Sequence, residues 1–219
     1  IVYKGLVMPS EFDSFYTDLS DPSHQTASVM FHIRFSTNTS PKWHLAQPYR
    51  VIAHNGEINT ISGNRNWALA RMNNLSSKRF GDMRKYQPLI NQSGSDSSSL
   101  DNMLEVLKEG GVNIGRAARM IIPPSWQNTD LMDSDEKAFH EYNSMHMEAW
   151  DGPALICFQD KNFLSCFLDR NGLRPAKIEY FNDETVCISS EFGSNNDNLK
   201  TIKTDRLGPV SYTHLRAHE

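Results

Sequence analysis

The order in which strand-like and helix-like segments follow one another constrains the fold of this chain most strongly. Short β-rich runs come first, amphipathic segments fill the middle, and four more β-rich runs follow at residues 154–159, 163–169, 177–180 and 185–189. Tight polar turns join these last four runs, which predicts an antiparallel meander. Strands and helices that segregate along a chain in this way are typical of layered α+β packing and not of alternating βαβ units.

Strands and helices are also predicted in the rest of the chain. Apolar and β-branched residues place strands at 1–7, 28–35 and 49–53, the last of them ending at the turn signal Asn55-Gly56. The clearest helix follows the serine-rich run 95–99, because four apolar residues share one helical face: Leu100, Met103, Leu104 and Leu107. Further helices are expected at 64–72, at 114–121 and at 133–147.

Composition argues against several classes of partner. The 219 residues carry a formal net charge of −4 and give a pI of about 6.1, so neither nucleic acid nor an anionic membrane is expected to bind. No apolar run approaches the roughly 18 residues of a membrane-spanning helix, and no signal peptide is visible. Three isolated cysteines, Cys157, Cys166 and Cys187, predict free thiols in a reducing compartment, by default the cytoplasm. The histidines lack metal-ligand spacing, so no metal site is predicted.

Arg34 ends an apolar run and is a candidate for binding a carboxylate. A guanidinium is planar, keeps its charge when buried and can hold a carboxylate through two parallel hydrogen bonds. In the absence of context, an ion pair with a surface acid would be the more common role of such an arginine. His32 and the polar run 36–39 beside it favour binding to the α-carboxylate of an amino acid.

Asn55 and Gly56 are candidates for stabilising an oxyanion. Amide hydrolysis passes through a tetrahedral oxyanion that needs preorganised donors, and an asparagine amide followed by a glycine N–H can supply two of them. Taken alone, Asn-Gly is more often a hairpin turn. The residues that flank the pair, Ala53-His54 and 57–60, make the functional interpretation more specific.

Asp96 can be interpreted in two ways. A carboxylate at a helix start can accept the α-ammonium group of an amino acid held opposite Arg34, or it can be a plain N-cap. From the residue alone these alternatives are equally balanced. The pattern Ser-Asp-Ser-x-x-Leu-Asp at residues 95–101 favours the ligand role.

These elements, taken in order, resemble class II glutamine amidotransferases, and most of all the glutaminase domain of glutamate synthases. The resemblance covers nearly all of residues 1–209 and rests on the segments 34–39, 43–48, 54–60, 95–101 and 168–175. Residues 169–175 are interpreted as structural support in the antiparallel sheet. It implies a four-layer αββα sandwich of the N-terminal-nucleophile hydrolase type, lacking its first part. It also implies that Arg34 and Thr37 bind the glutamine α-carboxylate, that Asp96 binds the α-amino group, and that Asn55 and Gly56 form the oxyanion hole.

The implied reaction is hydrolysis of glutamine to glutamate and ammonia. The resemblance further implies that the ammonia reaches 2-oxoglutarate in a synthase domain of the same parent chain. FMN and an iron–sulfur cluster are expected in that domain, none in this stretch, and a smaller electron-donating subunit is an expected partner.

The two ends of the chain qualify this expectation. Family members use an N-terminal cysteine as nucleophile, whereas residue 1 here is Ile1, so the stretch is expected to be inactive alone. Residues 210–219 depart from the preceding pattern and are interpreted as a non-native tail. The alternative to a glutaminase is a catalytically silent module that binds glutamine or serves only as structure.

Overall fold

Two antiparallel sheets stack at the centre of the molecule, and helices cover one side of the stack. The computed structural model describes residues 1–34, 40–130, 132–161, 163–191, 193–194, 199–208 and 212–216, and the side chains of these residues up to 208. The described helices are α1 (Phe12–Phe15), α2 (Ile61–Met72), α3 (Asp96–Glu109), α4 (Ile114–Ile121) and α5 (Ser134–Ser144). Short 3₁₀ turns are found at Pro9–Glu11, Thr17–Ser20, Trp43–Leu45 and Met83–Tyr86.

The strands belong to two main sheets and one small ribbon. The first sheet has the order β1 (Ile52–Gly56), β4 (Ala154–Gln159), β5 (Phe163–Leu168) and β9 (Tyr212–Arg216). The second sheet has the order β7 (Val186–Ser189), β6 (Lys177–Phe181) and β8 (Thr201–Arg206), and all of its described pairs are antiparallel. β2 (Ser76–Ser77) and β3 (Gly81–Asp82) form the ribbon.

One face of the first sheet packs against the helices. Alternate residues of β1 and β4, such as Ile52 and Ile156, point into the same apolar cluster as Leu100 and Leu104 of α3 and Ile121 of α4. Each of these five side chains is fully buried. Burial of a side chain of this size contributes about 2 kcal/mol, so this cluster is a major part of the core.

The opposite face of the first sheet packs against the second sheet. Leu155, Cys166 and Leu168 of the first sheet share a buried cluster with Ile178 of β6 and with Leu207. Inner faces of this kind form the core of sheet-on-sheet packing. Helices, first sheet and second sheet are therefore three successive layers of the expected αββα sandwich, and the predicted α+β class is confirmed.

Polar residues at the start of α3 fasten this helix to β1 and the residues beside it. Asp101 Oδ1 accepts hydrogen bonds from the backbone N–H groups of Val51 and Ile52 at 2.9 and 3.1 Å. Tyr49 Oη lies 2.8 Å from Ser95 Oγ, close to the helix start. Burial raises the pKa of Asp101, and these backbone N–H groups act in the opposite direction. Such satisfied buried polar contacts fix the helix in one position along the strand.

The connection from β5 to β6 carries the chain from one sheet to the other. It turns around Asp169, which is 2% exposed and whose carboxylate accepts backbone N–H groups from Ala154, Asn171, Leu173 and Arg174. Because the N–H groups come both from the turn and from β4, the carboxylate fastens the turn to the first sheet. The prediction that residues 169–175 support the sheet is consistent with these contacts.

Several segments match the sequence-based predictions and others differ. The bounds of α4 and β4 are those predicted, whereas the helix expected at 133–147 is shorter. Residues 1–7 and 28–34 form no strand, because neither segment pairs with a neighbouring strand in the described part of the chain. The predicted single meander is wrong too, since β4 and β5 lie in the first sheet, where β4 pairs with β1, while β6 and β7 lie in the second sheet.

Further differences concern the site and the end of the chain. Asn55 and Gly56 lie inside β1, paired with Leu155 and Ala154 of β4, so they are not a hairpin turn. Tyr212–Arg216 forms β9 at the edge of the first sheet, beside β5. The interpretation of residues 210–219 as a non-native tail stays a prediction. Among the described helices, none is long and apolar enough to cross a bilayer.

Replacing Asp169 by asparagine should destabilise the fold by about 2–3 kcal/mol, because an amide places N–H donors against backbone N–H groups. The matched control is Asp183→Asn in the exposed turn between β6 and β7, where Asp183 accepts one N–H from Thr185 at 3.0 Å. That change should cost no more than about 0.5 kcal/mol. Urea unfolding at pH 7 measures both, and equal losses would refute the role assigned to Asp169.

Candidate functional site

A deep cleft opens between the two sheets beside the start of α3. Its volume is about 1680 Å³, and its lining includes Arg34, Asn55, Gly56 and Asp96. These four residues come from three separate parts of the chain, and the structure brings them to one cavity. Thr37, the fifth residue expected at the site, lies outside the described residues.

Asn55 occupies the end of β1 on the side that faces the second sheet. Its Nδ2 donates a hydrogen bond to Ser190 Oγ at 2.7 Å, just after the end of β7. The contact bridges the two sheets across a sequence separation of 135 residues. A half-buried amide donor is therefore held in place at the edge of the cleft.

Gly56 follows directly and requires the absence of a side chain. Its φ is +150°, and a Cβ placed on it would lie 1.9 Å from the carbonyl oxygen of Pro153. The backbone N–H groups of Ile52 and His54 bond Asp101 and Gln47 on the side of β1 away from β4. The alternation of an antiparallel strand places the Gly56 N–H on that same side. The Gly56 N–H is thus not used in the hydrogen bonds between β1 and β4 and is available to a ligand.

Asp96 is the first residue of α3, and Ser95 is the N-cap. Ser95 Oγ accepts the N–H of Ser98 at 3.1 Å, so the alternative that Asp96 is merely the cap does not hold. Asp96 Oδ2 accepts the N–H of Ile58 at 2.8 Å, and Oδ1 accepts the N–H of Ser97 at 2.7 Å. The carboxylate is half-buried and anchored to the residues that follow β1, with lone pairs left for another donor.

Arg34 lies on the rim of the same cleft, at the end of residues 28–34. Its backbone N–H donates to Nδ1 of His32 at 3.2 Å, and the residue is exposed. The exposed position contrasts with the half-buried Asp96 deeper in the cleft. Arg34 and Asp96 are a cation and an anion in the lining of the same cleft, as a ligand with both a carboxylate and an ammonium group requires.

Comparisons with known proteins identify the family to which this chain belongs. The family model described as "Glutamine amidotransferases class-II" matches residues 1–215. The chain belongs to the class II glutamine amidotransferases. It is 46% identical over 194 residues to the NADPH glutamate synthase large chain of Bacillus subtilis, covering 88% of this chain and 13% of that relative.

Other relatives carry the same kind of name. The chain is 42% identical over 196 residues to the NADH glutamate synthase of Schizosaccharomyces pombe, covering 89% of this chain and 9% of the relative. It is 41% identical over 212 residues to the ferredoxin-dependent glutamate synthase of Cyanidium caldarium, covering 95% and 14%. The chain thus spans about one seventh or less of these relatives.

Among solved structures, the chain resembles the glutamine phosphoribosylpyrophosphate amidotransferase from B. subtilis complexed with ADP and GMP. The identity is 15%, the TM-score is 0.42, and the match covers 85% of this chain and 34% of that one.

Two residues of this amidotransferase domain, Gln47 and Arg65, support the cleft although neither was singled out from the sequence. The Gln47 side chain pairs with both backbone groups of His54, covering the free edge of β1 next to Asn55. Arg65 of α2 donates to the carbonyl oxygens of Gly94 and Ser95 and so holds the loop before Asp96. Gln47 lies within the segment 43–48, which contributes to the family resemblance. Arg65 belongs to no recognisable sequence motif, because it bonds carbonyl groups, which every residue has.

A third such residue, Arg174, comes from the turn that was assigned a purely structural role. It lines the cleft, and its guanidinium lies 3.3 Å from Glu191 Oε1. The turn around Asp169 therefore also delivers a positive charge to the cleft. That second role could not be seen in the turn motif itself.

The cysteines of this amidotransferase domain are poorly suited to nucleophilic attack. Cys157 and Cys166 lie opposite one another on β4 and β5, with their sulfur atoms 2.8 Å apart. The hydrogen bond to Cys157, together with burial, raises the pKa of Cys166 well above its usual range. Burial raises the pKa of Cys187 as well. A nucleophilic cysteine needs the opposite, a lowered pKa and exposure.

Gly56→Ala should be strongly destabilising, by about 3 kcal/mol, because the new methyl group meets the Pro153 carbonyl and the backbone is strained. Gly63→Ala in α2 is the matched control, since a Cβ there has nothing within 4 Å. An alanine in a helix should stabilise by roughly 0.5 kcal/mol relative to glycine. Thermal or urea unfolding of both variants checks the pair, and a neutral Gly56→Ala would contradict the close approach of β1 to Pro153.

Proposed function

We propose that this chain is the glutamine-binding part of the glutaminase domain of a glutamate synthase. The observation that carries the proposal is the gathering of Arg34, Asn55, Gly56 and Asp96 around one cleft. Glutamine presents a carboxylate, an ammonium group and a carboxamide. The cleft wall offers a cation, an anion and a pair of hydrogen-bond donors in the corresponding chemical roles.

In this proposal Arg34 binds the α-carboxylate and Asp96 binds the α-ammonium group. Thr37 lines the carboxylate end of the pocket, as the family resemblance implies. With both charged groups held, the carboxamide extends towards Asn55 and Gly56. Two charged contacts fix the orientation of a small substrate before reaction, which is how binding energy reduces the entropic cost of the chemical step.

Asn55 and Gly56 stabilise the charge that develops on the carboxamide oxygen during hydrolysis. Attack by a nucleophile turns the carbonyl oxygen into an oxyanion, and the Asn55 amide and the Gly56 N–H donate to it. Asn55 Nδ2 has two hydrogens, so it can keep its bond to Ser190 Oγ while donating the second to the oxyanion. Donors fixed in this way are worth about two to three orders of magnitude in turnover.

The nucleophile is not one of the described cysteines in this proposal. The class II resemblance implies an N-terminal cysteine, the pKa values of Cys166 and Cys187 are raised, and the sulfur of Cys157 is engaged with that of Cys166 at 2.8 Å. We therefore propose that this chain alone binds glutamine without hydrolysing it. When the chain is isolated, this proposal and the alternative of a catalytically silent glutamine-binding module therefore predict the same behaviour.

The rest of the reaction takes place elsewhere in a longer protein. We propose that ammonia passes to 2-oxoglutarate in a synthase domain of the parent chain, with FMN and an iron–sulfur cluster there and a smaller subunit delivering electrons in some forms. The described residues form no group of three or more potential ligands for a metal ion, so they do not fit an iron–sulfur cluster. The relatives are named for NADPH, NADH or ferredoxin at similar identity, and we propose on this basis that the electron donor is selected outside this stretch.

Calorimetric titration with glutamine tests the proposal. The chain should bind glutamine, and Arg34→Lys should weaken binding by about tenfold because the two-pronged contact with the carboxylate is lost. The control is Arg50→Lys, an exposed arginine that pairs with Glu105 at 2.9 Å outside the cleft and should leave binding unchanged.

An ammonia-release assay on the same samples separates binding from catalysis. The chain alone should release no ammonia above the uncatalysed rate. Release that disappears when one of the three cysteines is replaced by serine would overturn the assignment of the nucleophile. Absence of glutamine binding by the unmodified chain would overturn the proposed function itself.

A further inference from the structure

His54 is buried next to the candidate oxyanion residues but on the other face of β1. It is 2% exposed and points towards α3, where its Nδ1 lies 2.7 Å from Ser97 Oγ. The Ser97 hydroxyl in turn donates a hydrogen bond to Asp96 Oδ1 at 3.2 Å. A continuous path of hydrogen bonds therefore runs from the strand that carries Asn55 to the carboxylate that faces the cleft.

The direction of these bonds follows from counting protons. The Ser97 hydroxyl has one hydrogen, and it is donated to Asp96, since a carboxylate can only accept. The hydroxyl oxygen must then accept from His54, so Nδ1 carries the ring proton. Burial lowers the pKa of His54 to about 4, which leaves the ring neutral with a single proton near pH 7.

The other ring nitrogen agrees with this direction. His54 Nε2 is buried and has no hydrogen-bond partner among the described residues. With the proton on Nδ1, Nε2 is an unshared acceptor. The opposite tautomer would bury an unpaired N–H group, and orphaned buried donors are rarer and more costly than orphaned acceptors.

Asp96 is thus held at one oxygen atom by a residue just after β1 and at the other by Ser97 of α3. Oδ2 accepts the N–H of Ile58, and Oδ1 accepts both the N–H and the hydroxyl of Ser97, whose orientation is set by His54. These bonds leave the carboxylate little freedom to rotate. Its remaining lone pairs keep a fixed direction relative to Asn55.

We propose that His54 is a positioning residue that acts through Ser97 to aim the Asp96 carboxylate at the α-ammonium group of the bound amino acid. His54 does not touch the ligand. The inference rests on the proposed function, because it gives a role to the same cleft. It assigns to the residue before Asn55 a function separate from the oxyanion hole, namely discrimination in favour of ligands that carry an α-amino group.

The test compares glutamine with 4-carbamoylbutanoate, the same molecule without its α-amino group, by calorimetric titration of the chain. The ratio of the two affinities isolates the contribution of the Asp96 contact, because general damage to the cleft weakens both ligands alike. Ser97→Ala should reduce this preference for glutamine by about five- to tenfold, the effect of one hydrogen bond. Ser98→Ala is the matched control, since its hydroxyl donates to the Ser95 carbonyl and not to Asp96.

Two substitutions at His54 separate hydrogen bonding from packing. His54→Asn keeps an N–H donor near the position of Nδ1 and should retain the preference within about twofold, whereas His54→Gln places its amide near Nε2 and should lower it like Ser97→Ala. Equal losses in the two variants, or equal weakening of both ligands, would show a merely structural role and overturn the inference.

The outcomes for the unmodified chain keep the two proposals distinct. If it shows no preference for glutamine over 4-carbamoylbutanoate, the proposed function fails. If it shows the preference and neither Ser97→Ala nor His54→Gln alters it, only the role of His54 fails. ¹⁵N NMR of labelled histidine provides a ligand-free check, because a proton on Nε2 in place of Nδ1 would overturn the proposed direction of the relay.

Discussion

The fastening of α3 to β1 is the constraint on which the described site depends. Four polar side chains in the first two turns or at the cap of the helix bond the strand or the residues around it: Ser95, Asp96, Ser97 and Asp101. A helix packed only through Leu100 and Leu104 could shift along the sheet, since apolar contacts are not directional. The polar contacts remove that freedom, and Asp96 and Asn55 consequently keep one distance and one orientation.

The same polar helix start explains why a serine-rich segment is buried. Ser97, Ser98 and Ser99 are nearly inaccessible, yet each has a hydrogen-bond partner within the helix start, the preceding loop or β1. Buried hydroxyl groups are costly when unpaired and specific when paired. The site therefore combines a rigid wall, made by α3 and β1, with a rim at Arg34 and a bridge to the second sheet through Ser190. The bridge matters because it fixes the direction of the Asn55 amide at the edge of the cleft.

Sequence patterns predicted those parts of the fold that local physics determines. The apolar face of α3, the short helix α4 and the short strand β4 are all encoded within a few residues, and their predicted bounds are close to those observed. The position of Asn55-Gly56 was predicted less well, because the local turn preference is overridden by pairing of β1 with β4 as far as Ala154. Alternating apolar residues at 28–34 predicted a strand, but a strand also needs a partner, and no local pattern specifies one.

In the candidate site, too, some residues could be identified from the local sequence and others depend on partners distant in the chain. Arg34, Asn55, Gly56 and Asp96 were identified from residue types and from the order of motifs, and the cleft gathers them. Arg65, Gln47 and His54 could not be assigned from sequence, because their partners are backbone groups or a hydroxyl group distant in the chain. Whether Asp96 was a helix cap was equally undecidable until Ser95 was seen to accept the N–H of Ser98.

The central claim is that one amino-acid ligand spans Arg34, Asp96 and Asn55 in a single cleft. A crystal structure of the chain with bound glutamine tests it most directly. The account predicts the α-carboxylate within about 3 Å of the Arg34 guanidinium, the ammonium nitrogen within about 3 Å of the Asp96 carboxylate, and the carboxamide directed towards Asn55. Glutamine bound with its ammonium group away from Asp96, or outside the space between the two sheets, would contradict it.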